Sequence, residues 1–138
     1  MRYALSVTYV TSLALTIVVG LRYDALSSGL AAPGPQGPFF CKELLSSGSD
    51  DDALVAAFGL FAIPLLLRAF RWNRGIAGFE VVAFGVCFGA TCFALWLASL
   101  DCASIFYTAF VVPDPFLAGA LIALPASAAA LAWLRISQ

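Results

Sequence analysis

The sequence predicts an all-α integral membrane protein built as a bundle of four transmembrane helices. Two observations support this class. Of 138 residues, 62% are hydrophobic and 11% are charged, and the apolar residues fall into four long stretches. A soluble domain is about 45–50% apolar and about 25% charged. Because a domain of this size leaves much of its surface exposed, we expect lipid to surround it, with residues 1–138 forming a single membrane domain.

The four stretches predict the helices, and the polar segments between them predict the loops. The helices are expected at about residues 4–21, 53–70, 76–100 and 116–134, with outer loops at 22–52 and 101–115 and an inner loop at 71–75. A spanning helix needs about 20 apolar residues, within a range of about 17–25. The second stretch is short, and we expect Arg68 and Arg71 to extend it by placing their charged heads at the interface.

The first stretch could also be read as a signal peptide, since Met1 and Arg2 precede an apolar run. The run is long for a signal-peptide core, and no small-x-small cleavage site closes it tightly. We therefore expect an uncleaved first span.

Basic residues predict the orientation. Five of the seven lie at one end of the predicted bundle: Arg2, Arg68, Arg71, Arg74 and Arg135. Only Arg22 and Lys42 fall at the other end. Since Lys and Arg are enriched in cytoplasmic loops, both termini are expected inside, in a multi-pass protein of the bacterial inner (plasma) membrane.

Cys41 and Cys102 are expected one in each outer loop, of which the first is Pro/Gly-rich from Ala32 to Pro38. Thiols exposed to a bacterial periplasm are normally oxidised. A disulfide between Cys41 and Cys102 would join the two helical hairpins and contribute about 3–4 kcal/mol in the chain-entropy treatment. The alternative is a redox-active pair, against which stands the absence of a Cys-x-x-Cys motif.

Small residues recur at four-residue spacing on three of the predicted helices. The positions that we expect to pack against other helices are Thr8, Ser12, Thr16, Gly20, Gly85, Gly89, Gly119 and Ala123. Small residues let helices approach closely in lipid, and hydroxyl groups add interhelical hydrogen bonds. The spacing fits packing inside the bundle, and it equally fits docking onto another subunit.

Three features inside the helices have structural interpretations. Pro64 and Pro125 each remove a backbone hydrogen bond and favour a kink. Cys87 and Cys92, five residues apart on different faces of the third helix, are both expected to act as small apolar fillers. Glu80 lies near the inner interface, where it is expected to pair with Arg74 or another inner arginine rather than to relay protons.

Several functions lack their usual residues. The sequence has no histidine, which removes the commonest metal ligand and general base and the usual axial ligand of membrane haems. No nucleophile or carboxylate has a plausible base beside it. A net charge of −1 provides no basic surface for nucleic acid. We therefore expect neither an enzyme nor a protein with a metal or cofactor.

The remaining prediction is a non-catalytic accessory or assembly subunit of a larger inner-membrane complex, whose partners are the lipid bilayer and other membrane subunits. The apolar second outer loop would suit such a partner. One alternative is a small homo-oligomeric transporter or channel in which Thr8, Ser12 and Thr16 line a polar path. A second alternative is a membrane thiol-redox protein that uses Cys41 and Cys102.

Overall fold

The computed structural model describes residues 1–21, 56–100 and 115–138. These residues are helical apart from short connections, which confirms the predicted all-α class for this part of the chain. The four helices are α1 (Arg2–Leu21), α2 (Ala62–Phe70), α3 (Gly78–Leu100) and α4 (Pro115–Ile136). Cys41, Cys102 and most of both predicted outer loops lie outside the described residues, so their disulfide stays a prediction.

Two of the helices are long and apolar enough to cross a membrane. They are Arg2–Leu21 and, within α4, Ala118–Ile136. The apolar helical segments Ala56–Phe70 and Gly78–Ala94 are shorter. The structure therefore supports membrane association weakly, while the four-span arrangement and its orientation stay predictions.

The most extensive contact between helices is that of α1 with α4, and α2 contacts both α1 and α3. The buried side of α1 follows the helical period through Ser6, Tyr9, Leu13, Thr16 and Gly20. Steps of three and four residues keep these side chains on one face of the helix. α4 contributes a matching buried face, which consists of Ala120, Ala123, Leu124, Ser127, Leu131 and Leu134.

Aromatic side chains meet at the centre of the core, around Phe84 of α3. The ring of Tyr9 meets the ring of Phe84 edge-on, with centroids 5.8 Å apart. The Phe61 ring lies 6.0 Å from Phe84 and the Phe88 ring 5.9 Å from it, both tilted. Aromatic pairs at these separations stabilise by about 0.5–1.5 kcal/mol each beyond the apolar area they bury. This cluster links α1 and α3 to the segment that precedes α2.

The predicted second helix is interrupted before Pro64. Residues 56–59 are helical, Leu60 and Phe61 form a turn, and α2 starts at Ala62. Pro64 has no N–H with which to reach the Leu60 oxygen. The Phe61 N–H donates to the Phe58 oxygen at 3.2 Å rather than to the Ala57 oxygen. The break therefore leaves the Ala57 carbonyl group without its usual helical partner, while the Leu60 oxygen accepts instead from the Ile63 N–H at 3.1 Å.

Two side chains of α3 donate to these carbonyl groups. Thr91 Oγ1 donates to the Ala57 oxygen at 2.9 Å, and both residues are buried. Cys87 Sγ donates to the Leu60 oxygen at 3.4 Å. Cys87 and Thr91 are four residues apart and so lie on one face of α3. Cys87 is buried, as expected of a filler, but it also donates a hydrogen bond, whereas Cys92 is exposed and does not fill the core. α3 thus stabilises the broken segment in the way neighbouring helices do around prolines in membranes.

Candidate functional site

The charged side chains of the described residues gather at one end of the bundle, around the turn between α2 and α3. Glu80, in the first turn of α3, is only 2% exposed. Its Oε1 accepts hydrogen bonds from Arg71 Nε at 2.8 Å and from the Ala77 N–H at 3.3 Å. Its Oε2 lies 3.4 Å from Arg68 Nη1. Glu80 therefore caps α3 and pairs with Arg68 and Arg71, whereas the sequence had suggested Arg74 first.

Arg68 corrects an expectation, because its head does not reach the surface and the residue is 3% exposed. Its Nη2 donates to the main-chain oxygens of Trp72 and Arg74 at 3.2 Å and to Ser6 Oγ at 3.5 Å. These carbonyl groups belong to the turn after α2, which folds back over the guanidinium group. Together with Glu80 they supply the polar environment that the aqueous interface was expected to provide.

The hydrogen bonds of the Arg68 guanidinium group are long, and its Nε donor has no acceptor among the described residues. Charge-assisted N–H···O bonds are usually about 2.7–2.9 Å, whereas those of Arg68 measure 3.2–3.5 Å. Its Nε is buried and has no hydrogen-bond partner among the described residues. The guanidinium group is thus held in place without its donors being fully used.

Arg71 is the arginine that extends towards the surface, with 27% of its side chain exposed. Its guanidinium carbon lies 5.0 Å from the centre of the Phe79 ring, within cation–π distance. The expected position of Arg71 at the membrane interface stays a prediction.

The end of α4 is tied to the same turn through Ile76. Gln138 Oε1 accepts a hydrogen bond from the Ile76 N–H at 2.9 Å, and Arg135 Nη1 donates to the Ile76 oxygen, also at 2.9 Å. All three segments at this end, namely the start of α1, the α2–α3 turn and the end of α4, are therefore joined by polar contacts.

Between these segments lies a cavity of about 240 Å³. Its polar lining comes from Arg2 and Ser6 of α1, Arg68 of α2, Asn73 and Arg74 of the turn, and Gln138. No acidic side chain is among the described residues that line it. We call this space the arginine cavity. The three arginines predicted to mark topology, Arg68, Arg71 and Arg74, thus lie together in the structure, and two of them line the cavity.

The small-residue stripe predicted on α1 does not lie on one face. Thr8 is exposed and donates to the Ala4 oxygen, whereas Thr16 is fully buried and donates to the Ser12 oxygen. A step of four residues turns about 40° beyond a full helical turn, so Thr8 and Gly20 lie about 120° apart around the helix. Only Thr16 and Gly20 of the stripe are buried in the core. A Cβ atom added at Gly20 would overlap the Phe58 ring.

The other predicted packing positions divide into two groups. Ala123 is buried against the bundle. Gly85 and Gly89 are exposed on α3, and a Cβ atom at either of them, or at Gly119, would meet no other atom within 4 Å. Contacts inside the described bundle therefore do not explain Gly85 and Gly89.

Sequence reasoning missed Ser6, Thr91 and the cavity. Ser6 continues the buried period of α1, so a 3.6-residue template in place of a four-residue one would have selected it. Thr91 had no local signal, because Pro64 removes the helical donor of Leu60, whereas the Ala57 oxygen loses its donor when the Phe61 N–H bonds to Phe58. The cavity joins residues distant in sequence and had no local signal.

Comparisons with protein-family models, with curated proteins and with solved structures found no match to this chain. In the described ranges, no three His, Cys, Asp or Glu side chains lie close enough to hold a metal ion together.

Proposed function

We propose that the chain is a four-span protein of the bacterial inner membrane that acts as a non-catalytic accessory or assembly subunit of a larger membrane complex. Both termini and the arginine cavity lie on the cytoplasmic side, because this end contains all five arginines of the described residues. The supports are the two helices of spanning length and the outward face of α3.

The outward face of α3 carries the proposal. Gly85 and Gly89 are exposed there with open space at their Cβ positions. The large side chains of Val82, Val86 and Phe93, between 58% and 65% exposed, lie on the same side of the helix. A Gly-x-x-x-Gly pair bordered by large apolar residues forms the shallow groove into which another transmembrane helix fits. Lipid contact alone does not call for glycine, which disfavours a helix by about 1 kcal/mol relative to alanine.

α3 has a second, inward side that is already occupied. Phe84, Cys87 and Thr91 face the core and the broken segment before α2. Thr91 is about 200° around the helix from Gly89. Because the two sides are nearly opposite, a partner helix at the glycines would not compete with internal packing. This separation favours contact with another subunit over packing within the chain.

Co-purification from native membranes in a mild detergent tests the proposal. We expect larger membrane proteins to elute with the wild-type chain, and Gly85→Leu or Gly89→Leu to release them by filling the groove. The matched control is Ala132→Leu, which adds the same kind of bulk to an exposed position of α4. A wild-type chain that elutes alone and folded would contradict the proposal, and so would partners retained in both glycine variants.

A further inference from the structure

We propose that the arginine cavity binds a phosphate group, carried either by the headgroup of an anionic lipid or by a free phosphate ion. This inference goes beyond the accessory function, and only the depth of the cavity in the membrane rests on the orientation proposed above. Three arginines from three separate segments line the cavity: Arg2, Arg68 and Arg74.

Among the residues that the structure describes, no side-chain carboxylate lines the cavity to balance its arginines. Both salt bridges within the described ranges end on Glu80, with Arg68 and Arg71 as partners. One carboxylate thus serves two arginines. Arg2 and Arg74 have no carboxylate among the described residues within salt-bridge distance. An anion in the cavity would be attracted by both of them, and their planar guanidinium groups match the oxygen spacing of a phosphate.

Hydrogen-bond donors other than Arg2 and Arg74 also surround the cavity. α1 starts at Arg2 and has no acidic residue in its first turn. The first N–H groups of a helix have no partner within it and carry partial positive charge. Gln138 keeps its amide NH₂ free, since its Oε1 is bonded to Ile76. Arg68 also lines the cavity, and its Nη1 and Nη2 atoms make bonds of 3.2–3.5 Å.

The size and position of the cavity suit a phosphate. Its 240 Å³ is several times the roughly 30 Å³ that one water molecule occupies in the liquid, which leaves room for a tetrahedral oxyanion and part of a headgroup. Tyr3 and Trp72 also line it, and such residues are enriched at the level of lipid headgroups. In the proposed orientation the cavity therefore opens at the depth of the phosphates of the cytoplasmic leaflet.

The test uses the full chain in nanodiscs of phosphatidylcholine, with and without phosphatidylglycerol, and measures retained lipid by native mass spectrometry and the thermal midpoint. A separate arm adds inorganic phosphate to the phosphatidylcholine discs, with chloride at equal ionic strength as reference. We expect Arg74→Gln and Arg2→Gln each to weaken binding by roughly tenfold or more, the effect of losing a hydrogen bond between charged groups. Arg74→Lys, which keeps the charge but not the planar fork, is expected to lose less.

Arg135→Gln is the matched control, because Arg135 lies at the same end of the protein but does not line the cavity. It removes one positive charge and should change binding less than twofold. Binding of phosphatidylglycerol without an effect of inorganic phosphate supports a lipid headgroup. A shift with inorganic phosphate supports a free phosphate ion. Absence of binding in both arms overturns the proposal, as does an equal loss in the Arg135, Arg74 and Arg2 variants, which would show attraction to overall charge.

Discussion

Replacing Thr91 by Val tests whether α3 holds the broken segment before α2. The substitution keeps the shape of a fully buried side chain and removes the hydroxyl group that donates to the Ala57 oxygen at 2.9 Å. No cavity is created, so the change in stability reports the hydrogen bond. The carbonyl group of Ala57 is then buried without a donor.

The size of the stability loss depends on whether another donor can reach the Ala57 oxygen once the Thr91 hydroxyl group is removed. A buried polar group left unpaired costs about 1–3 kcal/mol in soluble proteins. Interhelical hydrogen bonds in a membrane protein average about 0.6 kcal/mol and reach about 1.7 kcal/mol. The Ala57 oxygen has also lost its helical donor, since the Phe61 N–H is bonded to Phe58. We therefore expect Thr91→Val to lower the free energy of unfolding by about 1.5 kcal/mol, near the upper end of the membrane range.

Reversible unfolding by sodium dodecyl sulfate in mixed micelles, followed by circular dichroism, measures this change. Thr8→Val is the matched control. The Thr8 hydroxyl is exposed and donates within its own helix to the Ala4 oxygen, so its loss should stay within about 0.5 kcal/mol. Thr91→Ser should retain most of the stability because the hydroxyl remains. The reasoning is refuted if Thr91→Val and Thr8→Val have equal effects, or if Thr91→Ser is as damaging as Thr91→Val.

Two further substitutions, with Gly85→Ala as a control, test the close packing of α1 and the buried ion pair in the same unfolding assay. Gly20→Ala places a methyl group onto the buried Phe58 ring and should cost about 1–3 kcal/mol. Gly85→Ala meets open space and should stabilise by up to about 1 kcal/mol; equal effects of the two would contradict the close contact at Gly20. Glu80→Gln leaves the buried charge of Arg68 without its carboxylate and should cost about 3 kcal/mol. A loss below about 1 kcal/mol, the usual size for an exposed pair, would show that main-chain carbonyl groups suffice for Arg68.

Hydropathy was enough to predict the all-helical class and three of the helices. α1, α3 and α4 begin and end within two residues of the predicted bounds, because long apolar runs leave few other structures available. The second helix was predicted as one piece from residue 53 to 70, and the structure breaks it at Leu60 and Phe61. Pro64 indicated a kink. The position of the break in the helix depends on the hydrogen-bond donors Cys87 and Thr91 of α3. No local sequence pattern shows that these two side chains lie beside it.

The candidate site was only partly predictable. The concentration of basic residues marked the right end of the bundle, but the sequence could not show which arginine turns inward. A short apolar segment that ends in Arg68 suggests a side chain reaching for water. In the structure the following turn brings the oxygens of Trp72 and Arg74 to it instead. That outcome depends on tertiary folding of the turn and on Glu80 from the next helix.

The geometry of α3 also separates the two proposals. Its first turn contributes Glu80 to the arginine cluster, its inward side holds the segment before α2 through Cys87 and Thr91, and its outward side presents the glycine pair. Filling the groove at Gly89 adds atoms on the side that faces away from both internal contacts, so the lining of the cavity is unchanged. A loss of partners in the Gly89→Leu variant with intact phosphate binding would therefore place assembly and anion binding on different surfaces of one helix hairpin. A coupled loss of both would mean that a partner subunit helps to form the cavity, and the accessory role and the phosphate site would then be properties of the complex.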